Sequence, residues 1–333
     1  MADTVVVDAL VIGGGAAGLG AALALCRQNH SVIIFDSGDY RNKVASEMHM
    51  VSTWDHRKPH EFRAAARAEL VSRYPDQCTF VDRAVRAIKV NTTRMQTTFE
   101  ARDEAGSRYQ GRKVILATGS RDLLPCINGF EECWGRGIVH CLLCHGHEES
   151  GSPSAGILAV DVFAEPSTLL RVLRACKQFV SRVCVYTNGN TRVAAQLREA
   201  TSLVSGCDIE PVVIERLEMV HPSRDGPQTI MKPSIRIVLE AEEEDKEHER
   251  AHTHAWLVYH PGTEQASDLP SQLGVELTAD GDIKLGAFQE TSQPGVFAAG
   301  DCSSPHKYFS TASVMGHMAG AGAAQQLQAD KRQ

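Results

Sequence analysis

The chain opens on a nearly unbroken apolar run at residues 5–12, interrupted only by Asp8. Such a run reads as a strand buried on both faces. Gly13-Gly14-Gly15-Ala16-Ala17-Gly18 follows at once and turns the strand into a helix predicted over 16–28, which Asn29 and His30 close. A second apolar strand, 31–35, ends at Asp36. Together these form a βαβ unit at the start of the chain. Helical spacing returns near 59–72, and short strands are predicted at 78–81, 85–90 and 97–101. A buried strand at 113–117 ends in Thr118-Gly119. A smaller βαβ unit lies mid-chain, with strand 155–160, helix 167–179 and strand 182–186. Further strands are predicted at 209–217, 234–241 and 254–259, and another at 295–301 ends on Gly300-Asp301. A helix of small residues, 310–328, closes the pattern.

Composition narrows this picture. A chain of 333 residues suggests two domains. With 43% hydrophobic residues it can fill two cores, and 23% charged residues is not the composition of a disordered chain. The net charge of −7 is spread along the length without a basic stripe, so nucleic acid is not an expected partner. No apolar run approaches the roughly 20 residues of a membrane helix. No basic region precedes an apolar stretch at the N-terminus, so no secretory signal is read and a cytoplasmic location is expected. In that compartment most of the ten cysteines should be free thiols. Cys26, Cys176 and Cys184 fall in apolar runs and read as core residues. The charge run at 240–250 reads as a solvated turn between strands.

The first glycine cluster has a mechanism. Gly13 permits a tight turn, Gly15 lets a pyrophosphate approach the backbone, and Gly18 allows close packing of helix and strand. Gly14 and Ala16 complete the turn, and the helix N-terminus offers free N–H groups to phosphate. Asp36 stands at the end of the second strand, where a carboxylate can accept hydrogen bonds from ribose hydroxyls. A lone glycine fingerprint is weak, but this one sits between a predicted strand and helix and has its acid.

The order of motifs, Gly13–Gly18, then Ala117-Thr118-Gly119, then Cys141-Leu142-Leu143-Cys144, then 295–301 ending on Gly300-Asp301, resembles the low-molecular-weight thioredoxin reductases among the two-dinucleotide flavoproteins. The resemblance covers nearly the whole chain. It implies an α/β fold of two three-layer, dinucleotide-binding-type (Rossmann-like) domains. A discontinuous FAD-binding domain, 1–121 and 252–333, would carry an inserted nicotinamide-domain-like unit, 122–251, with the cysteine pair. It also implies FAD as cofactor, with Thr118 and Gly119 beside it, Asp301 after Gly300 on the ribityl and pyrophosphate region, and a homodimer.

The pair Cys141 and Cys144 is flanked by His140, His145 and His147. Cysteines three apart at a helix start lie one turn apart on one face, and nearby imidazoles favour the thiolate. The spacing is also ligand-like, but a structural zinc needs a second ligand pair that the sequence does not offer, so no metal is expected here. In the resembled family the second cysteine, here Cys144, is the one nearer the flavin, and Cys141 would exchange with substrate sulfur. Thioredoxin reductases carry an acid after the second cysteine. This chain has Cys144-His145-Gly146 and looks like the fungal gliotoxin-type dithiol oxidases, which close disulfide bridges in epipolythiodioxopiperazine metabolites. Ser37, Arg41, Asn42 and His49 are carried over as cofactor-side residues on the same likeness. A neutral His145, or His140, could take a proton from a substrate thiol.

The pattern breaks in the second βαβ unit. After its first strand the sequence reads Asp161-Val162-Phe163-Ala164-Glu165-Pro166, without glycine and with two carboxylates where a pyrophosphate would sit. Past Tyr186 stands Arg192 without the arginine cluster that would grip a 2′-phosphate. NADPH binding is therefore not expected. Electrons should enter from a small-molecule dithiol and leave to molecular oxygen as hydrogen peroxide. The alternative is an NADPH-dependent disulfide reductase of the thioredoxin type.

Overall fold

The computed structural model describes residues 5–93, 96–221, 232–241 and 249–330. The chain divides into two units, Met1–Asp122 with Thr263–Gln333, and Leu123–Gly262. The charge run predicted as a turn falls largely at 242–248, outside the described residues.

From the N-terminus the elements are β1 (Val6–Ile12), α1 (Ala16–Cys26), β2 (Val32–Phe35), α2 (Pro59–Arg73), β3 (Cys78–Val81), β4 (Val85–Thr92), β5 (Thr97–Asp103), β6 (Arg108–Leu116) and β7 (Ser120–Leu123). The strands order as β3-β2-β1-β6-β5-β4. β1 pairs in parallel with β2 on one side and β6 on the other, so the chain reverses its direction of growth across the sheet at β1. β6 is longer than the expected strand because its first half pairs antiparallel with β5, Phe99 opposite Gly111. Leu10, Leu116 and Phe99 are fully buried in the core on one sheet face, and Ala9, Val11 and Ile115 in the core on the other. Two buried faces explain why these strands read as continuous apolar runs.

The inserted unit contains α3 (Phe130–Cys133), β8 (Ile138–Val139), α4 (Leu142–His145), β9 (Ser154–Leu158), α5 (Pro166–Cys176), β10 (Arg182–Tyr186), α6 (Thr191–Thr201), β11 (Cys207–Glu210), β12 (Ile214–Val220), β13 (Ser234–Leu239), β14 (Ala251–His254) and β15 (Leu257–Val258). One sheet is parallel, β11-β10-β9-β15-β8, and the other antiparallel, β12-β13-β14. The strand expected over 209–217 is split at Pro211, which has no N–H to continue a ladder. The strand expected over 254–259 is also two, since β14 and β15 belong to different sheets. Both sheets are built from strands of the inserted unit, which therefore extends to Gly262 rather than ending at 251. Helix α6 is an addition to the elements expected from the sequence; Asn190 caps it by accepting from the Val193 N–H at 3.0 Å, and Ala194, Leu197 and Thr201 line its buried face.

The chain returns through β16 (Gly262–Gln265), α7 (Leu269–Gln272), β17 (Val296–Ala298) and α8 (Phe309–Asp330). β16 pairs with β7, and β17 lies parallel on β6 with Ala298 beside Leu116. The small residues of α8 have a packing reason. A Cβ on Gly316 would lie 2.0 Å from the Ala17 carbonyl oxygen, and one on Gly320 would lie 2.5 Å from that of Ala21. α1 and α8 therefore meet backbone to backbone, as only glycine allows.

Candidate functional site

In the first unit, four parallel strands end abreast, at Ile12, Phe35, Leu116 and Ala298. Each is followed within a few residues by one of the motifs, respectively Gly13–Gly18, Asp36, Thr118-Gly119 and Gly300-Asp301. The carboxyl edge of a parallel sheet where strand order reverses is where α/β folds bind ligands.

The glycine turn has the shape of a phosphate cradle. Gly13 has φ +121°, and a Cβ there would lie 2.1 Å from the Ala117 carbonyl oxygen. At Gly14 a Cβ would meet the Asp36 carboxylate at 2.2 Å, and at Gly18 the Gly13 carbonyl oxygen at 1.8 Å. Gly15 differs, because a Cβ there would meet nothing within 4 Å. Three glycines are thus needed for the turn to close, while Gly15 opens on free space at the cap of α1, ahead of Ala16, the first residue of the helix. Free space over the first amides of an 11-residue helix, with a carboxylate at the next strand end, fits the pyrophosphate and ribose of a dinucleotide.

Asp36 is already oriented. Its carboxylate accepts from the Tyr40 hydroxyl at 2.5 Å and from the Gly38 N–H at 3.0 Å. Burial, and then the adjacent carboxylate, push the Tyr40 hydroxyl above its usual range. The Arg63 guanidinium lies 3.7 Å from the Tyr40 ring and donates to Asn42 Oδ1 at 3.1 Å. Ser37 Oγ accepts from the Asp39 N–H at 3.4 Å. Arg41 donates to Asp122 through Nε (2.9 Å) and Nη2 (2.7 Å) and to Asp301 through Nη1 (3.2 Å). Burial raises the Asp301 carboxyl above its ordinary value, and Arg41 partly offsets that. Lys307 fixes the same turn by donating to the Asp301 and Ser304 carbonyls and to Asp282. His49 lies in the loop between β2 and α2, its Nδ1 3.5 Å from Asp55 and its ring 4.6 Å from that of His56. Neither Asp122 nor Lys307 is marked by a motif in the sequence, because Asp122 meets Arg41 from 81 residues away and Lys307 reaches Asp282 from 25 residues away.

In the inserted unit Cys141 and Cys144 form a disulfide, with Cα atoms 5.3 Å apart. Cys141 is the cap of α4 and Cys144 its third residue. The expected helix is a single turn followed by a 3₁₀ turn at His147–Glu149. Gly146 follows it, where a Cβ would strike the Phe179 ring at 2.5 Å. His145 shares the turn, its N–H on the Cys141 carbonyl at 3.2 Å. The His140 ring packs against Trp134 with centroids 5.7 Å apart, next to Phe130 and Tyr259. Cys26, Cys176 and Cys184 are buried as expected, and burial pushes the Cys176 thiol up to about 12.

The second βαβ turn carries its own anions. Asp161 has φ +49°, a conformation that favours glycine, and accepts from the Tyr259 hydroxyl at 2.7 Å. Glu165 caps α5, accepting from the Thr168 N–H at 2.8 Å and the Ser167 hydroxyl at 2.5 Å. Those bonds hold its carboxyl down at about 2. The pair Glu165-Pro166 is a cap followed by proline at the first helical position, a signal legible in the sequence.

Comparison with known proteins agrees with this architecture. Residues 7–157 and 214–326 match the family described as pyridine nucleotide-disulphide oxidoreductase. A thioredoxin reductase of Gibberella zeae is 44% identical over 97% of this chain and 98% of its own length. Thioredoxin reductase sirT of Leptosphaeria maculans is 38% identical over 95% and 92%. Among solved structures, that of HlmI superposes with a TM-score of 0.81 at 28% identity, covering 98% of this chain and 94% of the other. The putative thioredoxin reductase TrxB of Bacillus anthracis, at 23% identity and a TM-score of 0.80, shares the fold. The chain belongs to the pyridine nucleotide-disulphide oxidoreductase family and is an oxidoreductase of the thioredoxin-reductase type within it.

Proposed function

We propose that this protein is an FAD-dependent dithiol oxidase that closes a disulfide in a small-molecule substrate, with oxygen as the final acceptor and hydrogen peroxide as product. The observation that carries the reading is the self-capped turn of the inserted unit. Glu165 already occupies the anion position at the start of α5, and Asp161 adds a second carboxylate. A nicotinamide pyrophosphate there would meet charge repulsion in place of free amides. The Cys141–Cys144 disulfide is present in the same unit. Electrons then have one source left, a dithiol.

The chain's own residues supply the exchange. A substrate thiolate attacks one sulfur of the Cys141–Cys144 disulfide and forms a mixed disulfide, releasing the other cysteine as thiolate. The second substrate thiol displaces the enzyme sulfur, so the substrate leaves oxidised and the two cysteines are reduced. Cys141 is assigned the mixed disulfide and Cys144 the cofactor side. His145, on the same turn, accepts the thiol proton, with His140 as the second candidate. Gly15 and the first amides of α1 would hold the FAD pyrophosphate, Asp36 the adenosine ribose, and Asp301, set by Arg41, the ribityl side. FAD, when bound, supplies a two-electron acceptor that oxygen can restore.

The substrate class rests on the likeness of Cys144-His145-Gly146 to the gliotoxin-type oxidases, and a homodimer on the same family. The second reading, an NADPH-dependent thioredoxin-type reductase, is favoured by the names that the relatives carry. The test is anaerobic mixing of the yellow protein with dithiothreitol or with NADPH. The dithiol should bleach the flavin and NADPH should not. Fast stoichiometric bleaching by NADPH would establish the second reading instead.

A further inference from the structure

Outside the disulfide and the dinucleotide edge, the inserted unit holds a group of side chains that the proposed reaction does not use. Cys184 and Tyr186 project from one face of β10, two residues apart, and His252 and His254 stand two apart on β14. One ligand atom from each of Cys184, His252 and His254 lies within 4.8 Å of the others. A cation between them would stand within about 2.8 Å of all three, and zinc's Zn–N and Zn–S distances of about 2.0–2.3 Å need only a small closing of the side chains. The three border a cavity of about 470 Å³, lined also by Ser154, Asp208 and Glu210.

We infer that Cys184, His252 and His254 form a binding site for a zinc-like divalent cation, with its fourth position open to this cavity. Thiolate and imidazole together select borderline-soft cations over Mg²⁺ or Ca²⁺. Three protein ligands with an open position is the arrangement of a zinc that keeps an exchangeable ligand. The outer contacts fit as well. Ser154 Oγ bonds His254 Nδ1 at 2.9 Å, the kind of partner that fixes a ligating imidazole. The Tyr186 hydroxyl bridges the two rings, 2.9 Å from His252 Nδ1 and 2.6 Å from His254 Nε2, and the cation would replace it on His254 Nε2. The basic groups around the cavity are paired, Arg182 with Asp208 at 3.1 Å and Arg250 with Glu210. Binding deprotonates the Cys184 thiol and releases one proton to solvent per cation bound.

The test uses the FAD-loaded full chain with Cys141→Ser and Cys144→Ser, so that the reduced pair cannot chelate. Zn²⁺ is titrated in competition with a chromogenic chelator. The background protein should take up one tight equivalent. His252→Ala should bind at least about 100-fold more weakly, and Ser154→Ala about 10-fold more weakly, the usual size of an outer-contact loss. Zinc-edge X-ray absorption should show one sulfur at about 2.3 Å, absent in Cys184→Ser. His252 is only half-buried, so its variant keeps the test valid if Cys184→Ser does not fold. No tight equivalent in the background protein would overturn the site. So would an equivalent that survives His252→Ala, or one that is lost instead in His56→Ala, which belongs to the Glu47, His49 and His56 cluster of the other unit.

Discussion

Arg41 provides the sharpest test of how the carboxyl edge of the first sheet is held. Its guanidinium bridges Asp122 and Asp301, and all three side chains are less than one-fifth exposed, at 17%, 10% and 19%. Arg41→Met keeps the apolar stem and removes the charge, leaving two carboxylates without a cation in a part-buried site. Removing one partner of a buried pair typically costs about 3–5 kcal/mol, and the residual exposure here argues for the lower end, about 3 kcal/mol. For a folding unit of this size that corresponds to a fall in Tm of about 6–12 °C. The sign with pH follows from Asp301, whose carboxyl burial already raises and Arg41 draws back. Without Arg41 the Asp301 carboxyl rises further above its unfolded value, so the penalty is full above the folded pKa and fades as pH falls through it. The gap in Tm between parent and variant should therefore be widest at pH 7 and narrow toward pH 5. Adding Asp301→Asn and Asp122→Asn should recover most of the loss, because these groups act as one network. Thermal unfolding followed by circular dichroism, with bound FAD measured in parallel, reads all of this. A variant that unfolds within about 2 °C of the parent at pH 7, with no pH dependence of the difference, would refute the argument.

Gly15→Val and Gly18→Ala should fail differently: the first adds its side chain to open space and should give folded, colourless protein, while the second meets the Gly13 carbonyl and should unfold at lower temperature. Circular dichroism beside the visible spectrum separates them, and a fully flavinated Gly15→Val would remove the cradle from this loop. Cys141→Ser and Cys144→Ser should each keep FAD and lose dithiol turnover by orders of magnitude, since the two sulfurs act as one unit. Offered the disulfide form of a small dithiol, Cys144→Ser should gain one substrate mass by intact mass spectrometry and Cys141→Ser should not. The reverse pattern would exchange their roles. His145→Ala should be milder, with a loss of about 10²–10⁴-fold in turnover, and normal turnover would pass the proton to His140. Glu165, held at about 2, stabilises the start of α5 above its unfolded pKa and loses that effect as pH falls through about 2. The difference in Tm between the parent and Glu165→Gln should stay constant from pH 7 to 5 and shrink below that, and a difference that grows on acidification would contradict the cap.

The elements whose meaning is local were legible before any fold was known. The apolar run before Gly13 could only be a buried strand, and the glycines could only be a turn, because each clash that a Cβ would make at Gly13, Gly14 or Gly18 is with backbone or a neighbouring strand end. The three-residue spacing of Cys141 and Cys144 already allowed a disulfide across one helical turn, and the carboxylates at 161 and 165 already spoiled a phosphate turn. Other features rest on contacts between residues distant along the chain. Arg41 finds Asp122 and Asp301 81 and 260 residues away, and no periodicity records such a meeting. The inserted unit runs on to Gly262 because β14 and β15 both pair with strands of that unit, a choice made by strand pairing and not by composition. Cys184 read correctly as a core residue, yet its neighbours His252 and His254 come from a strand 68 and 70 positions later. An apolar run predicts that a residue is buried, and only the packing of one sheet on another fixes what it is buried against.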